Sequence, residues 1–252
     1  MNKDTQHNAG QYDEHALEWE DALKTNVAHK YMEKPAMEAL LPADLSGMSV
    51  LCIGVGSGEE IDEIQKRGAA KIVGIDISEQ LLASARAKFP QVEFFILDMI
   101  DIGTSFEKES FNVVYSSLAF HYASDWDVLL AGIHTVLKPQ GMLVFSTHHP
   151  AYWGTKESAG DPVTNTRGVT LTKHTAMLGN IKIVYYNHPN EESIIESVEH
   201  AHFKNISYHV PKVVELSEDH RRNMGADELQ KYETLKEKSV TRDLFLVVRA
   251  EK

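Results

Sequence analysis

Through its first 150 residues the chain alternates short apolar runs with segments whose apolar positions recur at helical spacing. Residues 50–53 (VLCI) form an apolar run bounded by glycine; residues 61–67 follow with Ile61 and Ile64 one turn apart and stop at Gly68. That is strand, turn, helix. KIVGID, 71–76, reads as a second strand ending on an acid, and Ser78 as the N-cap of a helix carrying Leu81, Leu82 and Ala85 on one face. VEFFILD, 92–98, gives a third strand, FNVVYSSLAFHY, 111–122, a fourth that runs into a polar loop, and GMLVFSTHHP, 141–150, a fifth. Between the last two, WDVLLAGIHTVLKP predicts a helix stopped by Pro139. Strands this apolar are covered on both faces, and helical crossovers between them require a parallel, doubly wound sheet.

Beyond Pro150 the rhythm loosens. Residues 151–180 scatter Gly154, Gly160, Pro162, Gly168 and Gly179 among Ser and Thr, which predicts an insertion over about 151–190 with a β-hairpin in VTLTKHTAMLGNIKIVYY. EESIIESVEHAHF is helical, FKNISYHVPKVVE strand-like, SEDHRRNMGADELQKYETLKEK a solvated helical face, and DLFLVVRAEK a closing strand. The two late strands, taken as a hairpin, complete seven. The expectation is one α/β domain over 1–252, a mostly parallel seven-stranded sheet with helices on both faces.

Composition adds exclusions. Apolar residues are 42% and charged ones 25% of the 252, ordinary for a globular chain. The net charge of -12, without a Lys/Arg cluster, argues against nucleic acid as a partner. A single cysteine, Cys52, leaves no internal disulfide or multi-Cys metal site and fits a reducing compartment. No apolar core follows a basic start in the opening residues, and no stretch approaches the roughly 18 apolar residues of a membrane span, so a cytoplasmic protein without membrane partners is expected. His148-His149-Pro150 resembles half of a metal site, but no second ligand cluster accompanies it; no metal is expected.

The chemistry centres on Gly54, Gly56 and Gly58, between the first strand and the first helix of the α/β unit. In such sheets ligands sit beyond the carboxyl ends of the strands, and glycine lets backbone approach them closely. The dinucleotide fingerprint G-x-G-x-x-G fails here, because Glu59 holds the place of its third glycine. Glu59 and Glu60 disfavour a pyrophosphate at this helix start and suit a cationic or zwitterionic ligand. Asp76 ends the next strand, where a carboxylate can accept ribose hydroxyls, and Asp98 ends the one after.

Together VLCIGVGSGEE, VGIDISEQLLASAR, FFILDMIDI, FNVVYSSLAFHYASD and VLKPQGMLVFS, in this order, resemble the class I S-adenosylmethionine-dependent methyltransferases, in the small-molecule branch with a type 11-like domain. The resemblance covers roughly 12–145 and the closing strand. It implies that Gly54, Gly56 and Gly58 line the methionine and ribose part of S-adenosylmethionine, and that Asp76 holds the ribose diol with Ile77 on the adenine. It further implies that Asp98 receives the adenine amino group beside Met99, and that Ser116 touches the methionine end. QYDEHALEWEDAL looks like the lid helix of that family, within a lid of about 1–34, with Tyr12 and Trp19 as contacts. Where the family usually has an acid the chain has Cys52, for which Glu59 and Glu60 are the available compensation; Gln140-Gly141 replaces a glycine pair.

A sulfonium methyl is already electrophilic, so the protein has to align an acceptor, exclude water and, for a hydroxyl or protonated amine, remove a proton. His121 and His148, past the fourth and fifth strands, are the candidate bases among thirteen histidines; Tyr152 and Trp153 are candidates for the acceptor pocket wall. The acceptor atom (O, N or C) and the oligomeric state stay open. So do a non-catalytic S-adenosylmethionine-binding protein, aminopropyl transfer and a nicotinamide-dependent oxidoreductase.

Overall fold

The structure is a computed structural model that describes residues 1–153 and 160–252; the side chains of Tyr152 and Trp153, expected at a pocket wall, lie outside the described ones. In chain order the strands are β1 (Ser49–Ile53), β2 (Lys71–Asp76), β3 (Glu93–Ile96), β4 (Phe111–Ser116), β5 (Leu137–His148), β6 (Asp161–Thr164), β7 (Thr170–Leu178), β8 (Ile181–Asn187), β9 (Lys204–His209) and β10 (Phe245–Glu251). The helices are α1 (Lys3–Glu14), α2 (Ala16–Lys24), α3 (Lys34–Leu40), α4 (Ile61–Lys66), α5 (Glu79–Lys88), α6 (Ile102–Ser105), α7 (Trp126–Val136), α8 (Pro150–Trp153), α9 (Glu191–His200), α10 (Glu218–Asn223) and α11 (Ala226–Ser239). A π-helical turn, His29–Glu33, leads into α3.

The main sheet has seven strands in the order β3-β2-β1-β4-β5-β10-β9. Strands β1 to β5 pair in parallel and β10 lies antiparallel between β5 and β9. This is the doubly wound, mostly parallel architecture that the apolar runs predict. Strand order reverses at β1, which has β2 on one side and β4 on the other, so the ligand crevice of such a sheet opens beyond its carboxyl end. Alternation along β1 explains the two layers. Leu51 and Ile53 face a core with Leu129, Leu130 and Ile133 of α7; Val50 and Cys52 face one with Met37, Ile61, Ile64 and Leu82 from α3, α4 and α5. Each such side chain, fully buried, contributes on the order of 2 kcal/mol.

Ser78 caps α5, its hydroxyl accepting from the Leu81 N–H at 3.1 Å. Three expectations change. The helix of 126–136 ends before Pro139, because β5 begins at Leu137 in register with Phe111 of β4. The late strands β9 and β10 are neighbours but no hairpin, since α10 and α11 lie between them. And α11 is not wholly solvated: Tyr232 is fully buried and donates to the Val214 carbonyl at 2.8 Å.

The insertion folds as a separate antiparallel sheet, β6-β7-β8. Helix α1 docks on its β8 edge. The Asn8 side chain, 2% exposed, makes both backbone bonds of Val184, donating to its carbonyl and accepting from its N–H at 2.8 Å each, and Gln11 accepts from the Lys182 N–H at 2.9 Å. An amide copies the donor–acceptor pair of a missing strand, so the opening helix and the insertion form one cover. Among the described residues no helix is long and apolar enough to cross a membrane. We expect Asn8→Ala, which leaves a buried N–H and C=O unpaired, to lower unfolding free energy by about 1–3 kcal/mol and to speed amide exchange in β8; unchanged exchange would show that the cover does not depend on this pairing.

Candidate active site

A cavity of about 340 Å³ opens at the carboxyl edge of the parallel strands, under the cover. At one end the glycine turn, Asp76 and Ile77 line it, with Leu97 and Met99 from the β3 end. Tyr12 and Trp19 close it from above, their rings edge-on at 5.3 Å. At the other end are Leu118, His121 and His148 from the β4 and β5 ends, and Leu244 and Phe245 from the closing strand.

The three glycines divide the work. Gly54 has φ +65, and a Cβ there would meet the Ala119 Cβ at 2.4 Å, so this glycine lets β1 and the β4 loop touch. Gly58 does not line the cavity; a Cβ there would strike the Phe89 ring at 2.8 Å, so its role is packing. Gly56, at φ +51, has nothing within 4 Å of a would-be Cβ and faces the cavity. Its N–H donates to Asp76 Oδ2 at 2.8 Å, while Oδ1 accepts from the Ser78 N–H at 2.9 Å. Burial raises the Asp76 carboxyl above the usual range and these backbone donors pull it back.

Two acceptors are buried without a partner among the described residues: Glu60 Oε1, in the cavity wall, and Asp98 Oδ2. Asp98 sits between cavity residues Leu97 and Met99, and its other oxygen caps a short helical turn from the Ile100 N–H at 3.4 Å. Ser116 corrects the sequence expectation. It is fully buried behind the wall with its hydroxyl on the Ile53 carbonyl at 3.1 Å; Ser117, pointing the other way, lines the cavity. Cys52 also lies behind the wall, fully buried, with burial and Glu60 raising its thiol. Glu60 lines the cavity, and burial pushes its carboxyl to about 8.

Tyr12 and Trp19 both line the cavity. The Tyr12 hydroxyl bonds that of Tyr122 at 2.6 Å, fastening the cover to the loop after β4. His121 and His148 face each other with ring centroids 4.4 Å apart. Burial lowers both imidazoles, His148 to about 4, and His121 Nδ1 has no partner among the described residues. The sequence reading missed the π turn. Glu33, 0% exposed, accepts from His29 Nδ1 at 2.8 Å and from the hydroxyls of Ser117 at 2.9 Å and Ser146 at 2.5 Å. The signal was present as His and Glu four apart, but nothing in the sequence alone separates that pair from a surface one. Among the described residues no group of three or more His, Cys, Asp or Glu could hold a metal.

The methyltransferase domain family matches residues 51–145. An uncharacterised protein of Haemophilus influenzae is 35% identical over 128 residues, 48% of this chain and 50% of that one. A ubiquinone biosynthesis O-methyltransferase of Neisseria meningitidis serogroup C is 33% identical over 110 residues, 42% of this chain and 46% of that one. The chain thus matches about half the length of these curated relatives. A solved Listeria monocytogenes structure assigned to the S-adenosylmethionine-dependent methyltransferases is 26% identical with a TM-score of 0.66, covering 87% of this chain and 97% of that one. Residues 51–145 thus match the methyltransferase domain family, and the chain shares its fold with an S-adenosylmethionine-dependent methyltransferase structure over most of its length.

The Glu60 carboxyl, raised from 4.5 to about 8, keeps in the folded chain a proton that the unfolded chain releases. Its contribution to stability therefore falls as pH rises through that window, by at most about 1.4 kcal/mol per pH unit. We expect Glu60→Gln to gain stability over the parent between about pH 5 and about pH 8 in urea unfolding. A gain that is flat with pH would mean that Glu60 ionises freely.

Proposed function

We propose that this chain transfers the methyl group of S-adenosylmethionine to a small-molecule acceptor, with the glycine-turn end of the cavity holding the donor and the β4–β5–β10 end the acceptor. The observation that carries this reading is the set of acids around an apolar slot: Asp76 and Glu60 in its wall beside Ile77 and Met99, over the bare backbone of Gly56, and Asp98, with an unpartnered oxygen among the described residues, between lining residues Leu97 and Met99. A bound sulfonium and α-ammonium would offset the burial that raises Glu60 and Asp76 and favour their ionised forms, whereas a pyrophosphate would find no cation, because the described residues lining the cavity include no lysine or arginine.

Residue roles follow from position. Asp76, with backbone donors on both oxygens, keeps lone pairs for the ribose hydroxyls. Ile77 and Met99 pack on the adenine, whose amino group reaches Asp98 Oδ2, and Glu60 receives the α-ammonium. Gly54 and Gly56 admit the methionine chain, while Gly58 holds the turn against Phe89. Tyr12 and Trp19 exclude water from above. When bound, S-adenosylmethionine supplies an already activated methyl electrophile. The chain supplies alignment, dryness and a wall of uncharged imidazoles, His121 and His148, at the acceptor end.

Calorimetry with S-adenosylmethionine, S-adenosylhomocysteine and methylthioadenosine, with NADH as the control, tests the reading. All three sulfur nucleosides should bind and NADH should not. Asp76→Ala should weaken all three by about 1–3 kcal/mol, because ribose donors lose their acceptor. Glu60→Gln should weaken the two amino-acid-bearing ligands and leave methylthioadenosine unchanged. Binding of NADH in preference to the sulfur nucleosides would overturn the assignment.

A further inference from the structure

Resting on the reading that a methyl donor occupies the glycine-turn end, we infer that His29, aligned by Glu33, takes the proton from an uncharged O–H or N–H acceptor seated at the other end of the cavity. His29 lines the cavity, its side chain 14% exposed. Its Nδ1 lies 2.8 Å from Glu33 Oε2, and the other Glu33 oxygen is occupied by the Ser117 and Ser146 hydroxyls. A carboxylate only accepts, so Nδ1 carries the hydrogen and Nε2 keeps a lone pair for the cavity. Ser146 in turn accepts from the Leu118 N–H at 2.9 Å, which ties this network to a residue of the acceptor end held at φ +50. The π turn brings the pair together, and Tyr31 and Lys30 of that turn are held by Glu228 of α11 at 2.7 and 2.6 Å.

The surroundings define the acceptor. Ala28, next to His29, packs in one apolar cluster with Leu118, Leu244 and Phe245. Phe245 stands in register with His148, its ring 5.9 Å from the imidazole. The acids of the cavity, Glu59, Glu60 and Asp76, lie at the donor end, and the described lining residues include no lysine or arginine to meet a carboxylate or phosphate. An apolar, uncharged molecule with one ionisable hydroxyl or amine suits that end. His121 and His148 are poor proton stores, since burial disfavours their charged forms; an imidazolium at His29 is met by the Glu33 carboxylate.

In the step the acceptor's O–H or N–H bond breaks and its proton passes to His29 Nε2. The electron pair left on O or N bonds the methyl carbon, and the S–CH3 pair stays on sulfur as the sulfonium becomes a thioether. His29 returns its proton to solvent after release, so charge and atoms balance. Glu33 acts only as a positioning residue.

The test is proton–nitrogen correlation NMR on the full chain carrying isotope-labelled histidine, free and with S-adenosylhomocysteine, with His29→Gln to assign the signal and para-nitrophenol as the acceptor probe. The expected spectrum near neutral pH shows His29 protonated on Nδ1 and bare on Nε2, in both states. Added probe should bind as the phenolate, seen by its visible absorbance, while His29 becomes doubly protonated. His29→Gln should reduce the bound phenolate about tenfold and Glu33→Gln should shift the tautomer. An Nε2–H tautomer in the parent protein, a probe that binds without changing His29, or no probe binding at all would each overturn the inference. Failure of the parent to bind S-adenosylhomocysteine would sink the donor reading instead, and the tautomer of the free protein would still be readable.

Discussion

A single buried carboxylate, Glu33, holds the chemistry-bearing parts of this molecule in one place. Its oxygens join the turn before α3, the loop after β4 and the middle of β5, through His29, Ser117 and Ser146. A carboxylate that far from water persists only with its lone pairs filled, so three separate segments are committed to one geometry. Leu118 adopts its left-handed backbone within the same network, its N–H fixed by Ser146. The β4–β5–β10 end of the cavity is thus built around a polar knot, although its walls are mostly apolar.

The glycine-turn end rests on a different device. Asp76 spans from the glycine turn to the start of α5 through the N–H groups of Gly56 and Ser78. Ser78 then donates to Asp13 of α1 at 2.7 Å, and α1 carries Tyr12 and the Asn8 contact to β8. The cover, the insertion sheet and the carboxylate at the end of β2 are therefore mechanically continuous. Tyr12 closes over the cavity from a helix that is braced on a sheet contributed by residues more than 150 positions later.

The family resemblance and the geometry agree where they concern the parallel half of the sheet and diverge at particular residues. Cys52, in place of an acid, is neutral and walled off, and Glu60 brings a carboxyl to the cavity from the other side of the turn. Ser116 gives way to Ser117 because neighbouring residues at a strand end point in opposite directions. The histidine pair expected as bases lies at the cavity, but burial disfavours its charged form, and the imidazole that is hydrogen-bonded to a buried carboxyl group comes from a segment that the pattern of strands and helices left unremarked.

What the sequence determined by itself is local: apolar runs long enough for strands, caps such as Ser78, the glycine turn, and the acids that end β2 and β3. These signals follow from backbone propensity and burial on a fixed period, so they survive without knowledge of any partner. Which groups share the cavity was decided only by the tertiary structure. His29 with Glu33, Phe245 opposite His148, and Asn8 on Val184 are pairs separated by other elements or indistinguishable from surface neighbours. Their meaning comes from desolvation, and desolvation exists only once the chain has packed around them.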